Sequence, residues 1–162
     1  MASNGNVSLY ARFVEAWKRI EGSIEARYFF EAIAIEESIM SNRLTSFLFG
    51  IGLMTKDEAE GNPHKPFATL ISRLRSAASD PRWEDPAALA VKLDSWRKQR
   101  NTALHALTKS FPGHSPRVPL SKFLEDVEET AREGKELARF VSNWQRRQRA
   151  RANAANAANG PA

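Results

Sequence analysis

The sequence predicts an all-α helical bundle, and three observations carry that expectation. Apolar residues recur at steps of three and four through most of the 162 residues, the repeat of one helix face. No stretch alternates apolar and polar residues for long enough to build a useful strand. Clusters of glycine and proline, at residues 61–66 and 112–116, punctuate the pattern with loops. Four principal helices plus one or two short ones are expected.

Taken in order, Leu9, Phe13, Trp17, Ile20 and Ile24 draw the stripe of a first helix. Asn6 or Ser8 is placed to cap it and Gly22 to break or bend it. A second helix, from about residue 24 to about 50, is apolar on two faces. One face carries Ile33, Met40, Leu44, Phe47 and Ile51; the other carries Phe29, Ala32, Ile35 and Ile39. Such a helix belongs in the centre of a bundle, and Gly50 and Gly52 supply its stop. Thr55-Lys-Asp-Glu58 has capping-box form, so a short helix is expected there. Phe67, Leu70, Ile71 and Leu74 face inward from a third element over about 66–78, with Arg73 and Arg75 directed elsewhere. Asp85-Pro86 opens a fourth helix with an acidic cap and a proline at the first helical position. That helix runs to about Ser110. Ser121 caps the last helix, expected to about residue 148 along Val127, Ala131, Gly134, Leu137, Val141 and Trp144. The small residues in its middle predict a close helix approach. Residues 1–150 thus read as a single helical domain and 151–162 as a low-complexity, disordered tail.

Length and composition agree. A chain of about 150 residues buries roughly 70% of its unfolded surface, and 42% hydrophobic with 27% charged residues is ordinary for a globular domain. Cysteine is absent, which excludes disulfides, thiolate metal ligands and cysteine nucleophiles and suits a reducing, cytoplasmic setting. No run of about 18 apolar residues and no apolar leader is present, so neither membrane spanning nor secretion is expected. Three scattered histidines do not make a metal site, His64 and His114 are assigned to solvent, and no cofactor is expected. Trp17, Trp83, Trp96 and Trp144 are assigned to core or interface.

The net charge is +5, from 24 Lys+Arg against 19 Asp+Glu, and favours a polyanion, with nucleic acid first among candidates. Residues 121–136 hold six acids against three bases, whereas 139–151 hold five arginines and no acid. Arg146, Arg147, Arg149 and Arg151 either track an RNA backbone or form a solvated helix end favoured by the dipole. Both readings stay open at this point.

The fourth helix carries the most informative misfit. Its stripe runs Leu89, Leu93, Trp96, position 100, Ala103 and Leu107, and position 100 is Arg100. A guanidinium on an apolar stripe is costly unless it is paired or faces solvent, ligand or a second subunit. Asn101 and His105, spaced i, i+4, share one face beside it, and Lys98 precedes Asn101 by three residues. Arginine matches phosphate oxygens with a fork of donors, and histidine is the residue type that exchanges protons near neutral pH. Those groups suit cleavage of a phosphodiester by internal attack of a ribose 2′-hydroxyl. A structural reading competes: Arg100 pairs with Glu36 or Glu37 on the second helix, where Glu37 interrupts an apolar row.

Arg100-Asn101-Thr102-Ala103-Leu104-His105 resembles the Arg-X4–6-His motif of the HEPN superfamily, in which a polar residue usually follows the arginine. HEPN proteins place this motif near the end of a late helix in an all-α bundle, with one more helix after it. The resemblance covers roughly residues 8–148 by helix layout and six residues by motif. It implies a metal-independent endoribonuclease, a homodimer whose two motifs face each other in one composite site. Arg100 would stabilise charge on the scissile phosphate, His105 would act as general base or acid, and Asn101 would orient His105 or the phosphate. Arg97 and Lys98 are expected to contact RNA beside them. The products would be a 2′,3′-cyclic phosphate and a 5′-hydroxyl. The implied setting is a defence or toxin role, with an antitoxin or regulatory protein as a possible partner. Leu107 stands where many toxin-type members carry a tyrosine, which sets this chain apart from them. The alternative is a non-catalytic HEPN-like module that binds RNA, a nucleotide or a protein partner.

Overall fold

The helical periodicity is realised in the computed structural model, which describes residues 4–60, 66–108 and 118–158. The helices are α1 (Asn4–Glu25), α2 (Phe29–Gly50), α3 (Lys56–Glu60), α4 (Phe67–Ser76, continued by a 3-10 turn over Ala77–Ser79), α5 (Pro86–Thr108) and α6 (Leu120–Ala158). No strand occurs among the described residues, and no described helix is long and apolar enough to cross a membrane.

Two apolar faces put α2 in the centre, packed against α1, α4 and α6. Phe29, Ala32, Ile33, Ile39, Met40, Leu44, Phe47 and Leu48 are its buried apolar residues. α6 runs alongside α2 and antiparallel to α5. Phe30 meets Phe123 and Phe47 meets Trp144 on the first side, while Trp96 Nε1 donates to Thr130 O (2.9 Å) and Trp144 Nε1 to Glu84 O (2.6 Å) on the second. α4 closes the far side against α2 and α5 with Phe67, Leu70, Ile71 and Leu74 buried. Trp96 and Trp144 are core residues, and Trp17 and Trp83 are partly buried against that core.

Local signals set the starts of α3 and α5. The capping box forms: Thr55 N–H donates to Glu58 Oε2 (2.9 Å) and Glu58 N–H to Thr55 Oγ1 (3.2 Å). Asp85 Oδ1 accepts the Ala88 N–H (3.1 Å), with Pro86 at the first position of α5. Several expectations need correction. α1 starts at Asn4, ahead of Asn6 and Ser8, and runs through Gly22 to Glu25. A mid-helix glycine costs about 1 kcal/mol, less than burial of Ile20 and Ile24 on the same stripe returns. The break comes at Arg27, with φ 63°, so α2 begins at Phe29 and not near residue 24. Ser121 lies inside the first turn of α6, which begins at Leu120. Nor does α6 end near 148: residues 151–158, expected as a disordered tail, are helical, as befits a segment rich in alanine, the strongest helix former. The loops at 61–65 and 112–116, with His64 and His114, lie outside the described residues.

Gly134 is the close approach expected in α6. A Cβ there would meet the Glu36 carboxyl and lie 2.8 Å from Trp96 Nε1. Glu36 is fully buried, and neither carboxyl oxygen has a hydrogen-bond partner. Burial pushes its pKa up to about 8, with the Lys135 charge working in the opposite direction, so the carboxyl is protonated at neutral pH.

Candidate functional site

On α5, Leu89, Leu93, Trp96 and Ala103 are buried, so the stripe that Arg100 interrupts is a true core stripe. The Arg100 side chain is 17% exposed. Its guanidinium forms an ion pair with Glu37, and Nη1 donates to Asn101 Oδ1 (2.7 Å). Nε is buried without a partner. Of the two acids expected as partners for Arg100, Glu37 takes the role and Glu36 does not. The residue that interrupts the buried row of α2 is Glu36, which faces α6; Glu37 faces α5.

Arg97, Arg100 and Asn101 form one wall of a cleft of about 680 Å³ between α2, α3, α4 and α5. Ser38, Ser41, Asn42 and Thr45 form the opposite wall, four polar side chains at i, i+3, i+4 and i+7 on one face of α2. Phe67 and Leu70 supply an apolar floor from α4. The cleft sets the guanidinium groups of Arg97 and Arg100 against a row of hydroxyl and amide groups, with the Glu37 and Glu58 carboxylates also in its lining. The polar row was present in the sequence at helical spacing. It reads there as an ordinary solvent face, because nothing in α2 alone reveals the walls that α4 and α5 add.

The remaining expected residues are dispersed. Arg97 donates through Nε to Asp94 Oδ1 (3.0 Å), and Lys98 Nζ lies 3.2 Å from Asp94 Oδ2, outside the cleft lining. Arg97, then Lys98, hold the Asp94 carboxyl below its usual range. His105 is exposed and does not line the cleft, although it follows Asn101 by one turn. Arg147 and Arg151 pair with Glu84 (3.2 and 3.7 Å), whereas Arg146 and Arg149 line a separate groove with Arg43 and Arg139. Among the described residues, no three histidine or acidic side chains converge as metal ligands would.

Comparison with known proteins returns no match to any family model, curated protein or solved structure.

Proposed function

We propose that this chain is a HEPN-type, metal-independent endoribonuclease, active as a homodimer that brings two copies of Arg100 and His105 around one RNA phosphate. The observation that carries this reading is the placement of Arg100. A guanidinium on a core stripe is held by Glu37 and Asn101 in the lining of a cleft that also carries hydroxyl groups. Glu37 acts as a positioning residue for it. Preorganised donors of this kind stabilise charge developing on a phosphoryl group.

The exposure of His105 suits a second copy supplying the rest of the site. Leu104 on α5 and Leu120 and Leu124 on α6 are exposed apolar residues at the same end of this antiparallel pair as His105. In the composite site one His105 takes the proton from the ribose 2′-hydroxyl, whose oxygen attacks phosphorus. The bond from phosphorus to the 5′ oxygen breaks, and the other His105 protonates the leaving oxygen. The RNA ends as a 2′,3′-cyclic phosphate and a 5′-hydroxyl.

A second reading is a non-catalytic module that binds RNA, a nucleotide or a protein. It is favoured by the pairing of Arg100 with Glu37 inside its own bundle and by His105 lying outside the cleft. A cleavage assay on single-stranded RNA in EDTA separates the two. Catalysis predicts cyclic-phosphate ends and a loss of about 10²–10⁴-fold in Arg100→Ala and in His105→Ala. RNA binding without any cutting supports the module. Full activity in a strict monomer, by light scattering, removes the composite site.

A further inference from the structure

On the side of α2 opposite its hydroxyl row, α1, α2 and α6 enclose a second groove of about 470 Å³. Arg43, Arg139, Arg146 and Arg149 line it together with Trp17 and Ser142, and no carboxylate does. Arg139 is held at its edge by Glu21 (3.0 Å) and Glu136 (3.4 Å), and Arg146 by Asn143 Oδ1 (2.7 Å). Arg43 has no carboxylate partner among the described residues. Its guanidinium lies 4.0 Å from the Phe13 ring centroid. Arg43 Nε and Ser142 Oγ are both buried without hydrogen-bond partners. Burial, and then the charge of Arg146, lowers the pKa of Arg43, as expected for a cation that lacks a counter-ion.

We infer that this groove binds the phosphate backbone of a single-stranded nucleic acid. Residues 139 to 149 rise by about 15 Å along α6, so the cations form a row and not a cup. A row matches a chain of phosphates better than one small anion, and Trp17 places an aromatic ring in the groove wall, the usual companion of such a track. The helix phase sorts the arginine-rich stretch accordingly: Arg146 and Arg149 face the groove, while Arg147 and Arg151 turn to Glu84. The inference goes beyond the nuclease reading and does not depend on it.

The test is fluorescence anisotropy of a labelled 2′-O-methyl oligouridylate, a backbone that lacks the 2′-hydroxyl nucleophile. It is titrated with the full chain between about 50 and about 200 mM salt. Four phosphate contacts predict a slope of about −2.8 in log K against log salt, roughly a 50-fold loss over that range. Arg146→Ala/Arg149→Ala should reduce the slope to about −1.4, roughly a sevenfold loss. Arg147→Ala/Arg151→Ala removes the same charge from the same helix and should keep the original slope. All four positions are exposed, so the fold tolerates both changes. Equal losses in the two double variants, or no binding at about 50 mM salt, overturn the inference. So does binding lost in Arg100→Ala but intact in Arg146→Ala/Arg149→Ala, which places the strand in the other cleft. Displacement by millimolar inorganic phosphate at constant ionic strength marks a small-anion site and overturns it as well.

Discussion

Replacing Glu36 by glutamine should change how the stability of this bundle depends on pH. Glu36 is sealed between α2 and α6, and burial moves its pKa from the ordinary 4.5 to about 8. Between pH 5 and about 8, the folded-state pKa, the unfolded chain holds this carboxyl mostly ionised and the folded chain holds it mostly protonated. Unfolding therefore releases a proton, and stability falls as pH rises. With the two pKa values above, the loss across that window is about 3–4 kcal/mol. Glu36→Gln is close to isosteric and cannot ionise, so its curve should lack this component. Relative to the parent chain it should gain about 4 kcal/mol at pH 8 and about 1 kcal/mol or less at pH 5. Urea unfolding at pH 5, 6.5 and 8 measures the difference directly, and m should stay constant because the buried surface is the same. All other titrating groups are common to both chains and cancel. Parallel pH curves for the two proteins would refute the reasoning and mean that the carboxyl finds a partner or reaches water.

Substitutions at three further positions probe the close helix approach, a helix cap and the arginine's partner. Gly134→Ala drives a Cβ into the Glu36 carboxyl and Trp96 Nε1, whose ring is anchored by Thr130 O. Thermal unfolding should show a loss of about 1–3 kcal/mol despite the better helix propensity of alanine. Asp85→Ala removes the acceptor for the Ala88 N–H and leaves a non-glycine residue at φ 42°, so chemical denaturation should show a loss of about 0.5–2 kcal/mol. Asp85→Asn should retain most of that stability. Glu37→Gln loosens Arg100 without removing it, so single-turnover RNA cleavage should slow by up to about 100-fold, with recovery in Glu37→Asp if orientation is the cause.

The parts of the molecule legible in the sequence are those decided within one helix. Arg100 stood out because a period of three and four leaves only one apolar slot at that position, and the capping box at Thr55 and the Asp85-Pro86 start are local hydrogen-bond patterns. Choices between neighbouring residues were not legible. Whether Glu36 or Glu37 meets Arg100 depends on how α2 is rotated about its axis between α5 and α6, which tertiary packing decides. The same holds for Arg146 and Arg149 against Arg147 and Arg151, whose division needs the loop that carries Glu84. Gly22 shows propensity overruled by burial on either side of it, and the alanine-rich segment after residue 150 shows low complexity coexisting with strong helix propensity.

In the proposed composite site, Arg100 and His105 promote attack by a ribose 2′-hydroxyl. A DNA oligonucleotide with a single ribonucleotide, incubated with the chain in EDTA, tests it most directly. One cut is expected, immediately 3′ of the ribonucleotide, leaving a 2′,3′-cyclic phosphate, and no cut with His105→Ala. Cleavage of the all-DNA strand, or an undiminished cut by His105→Ala, contradicts it.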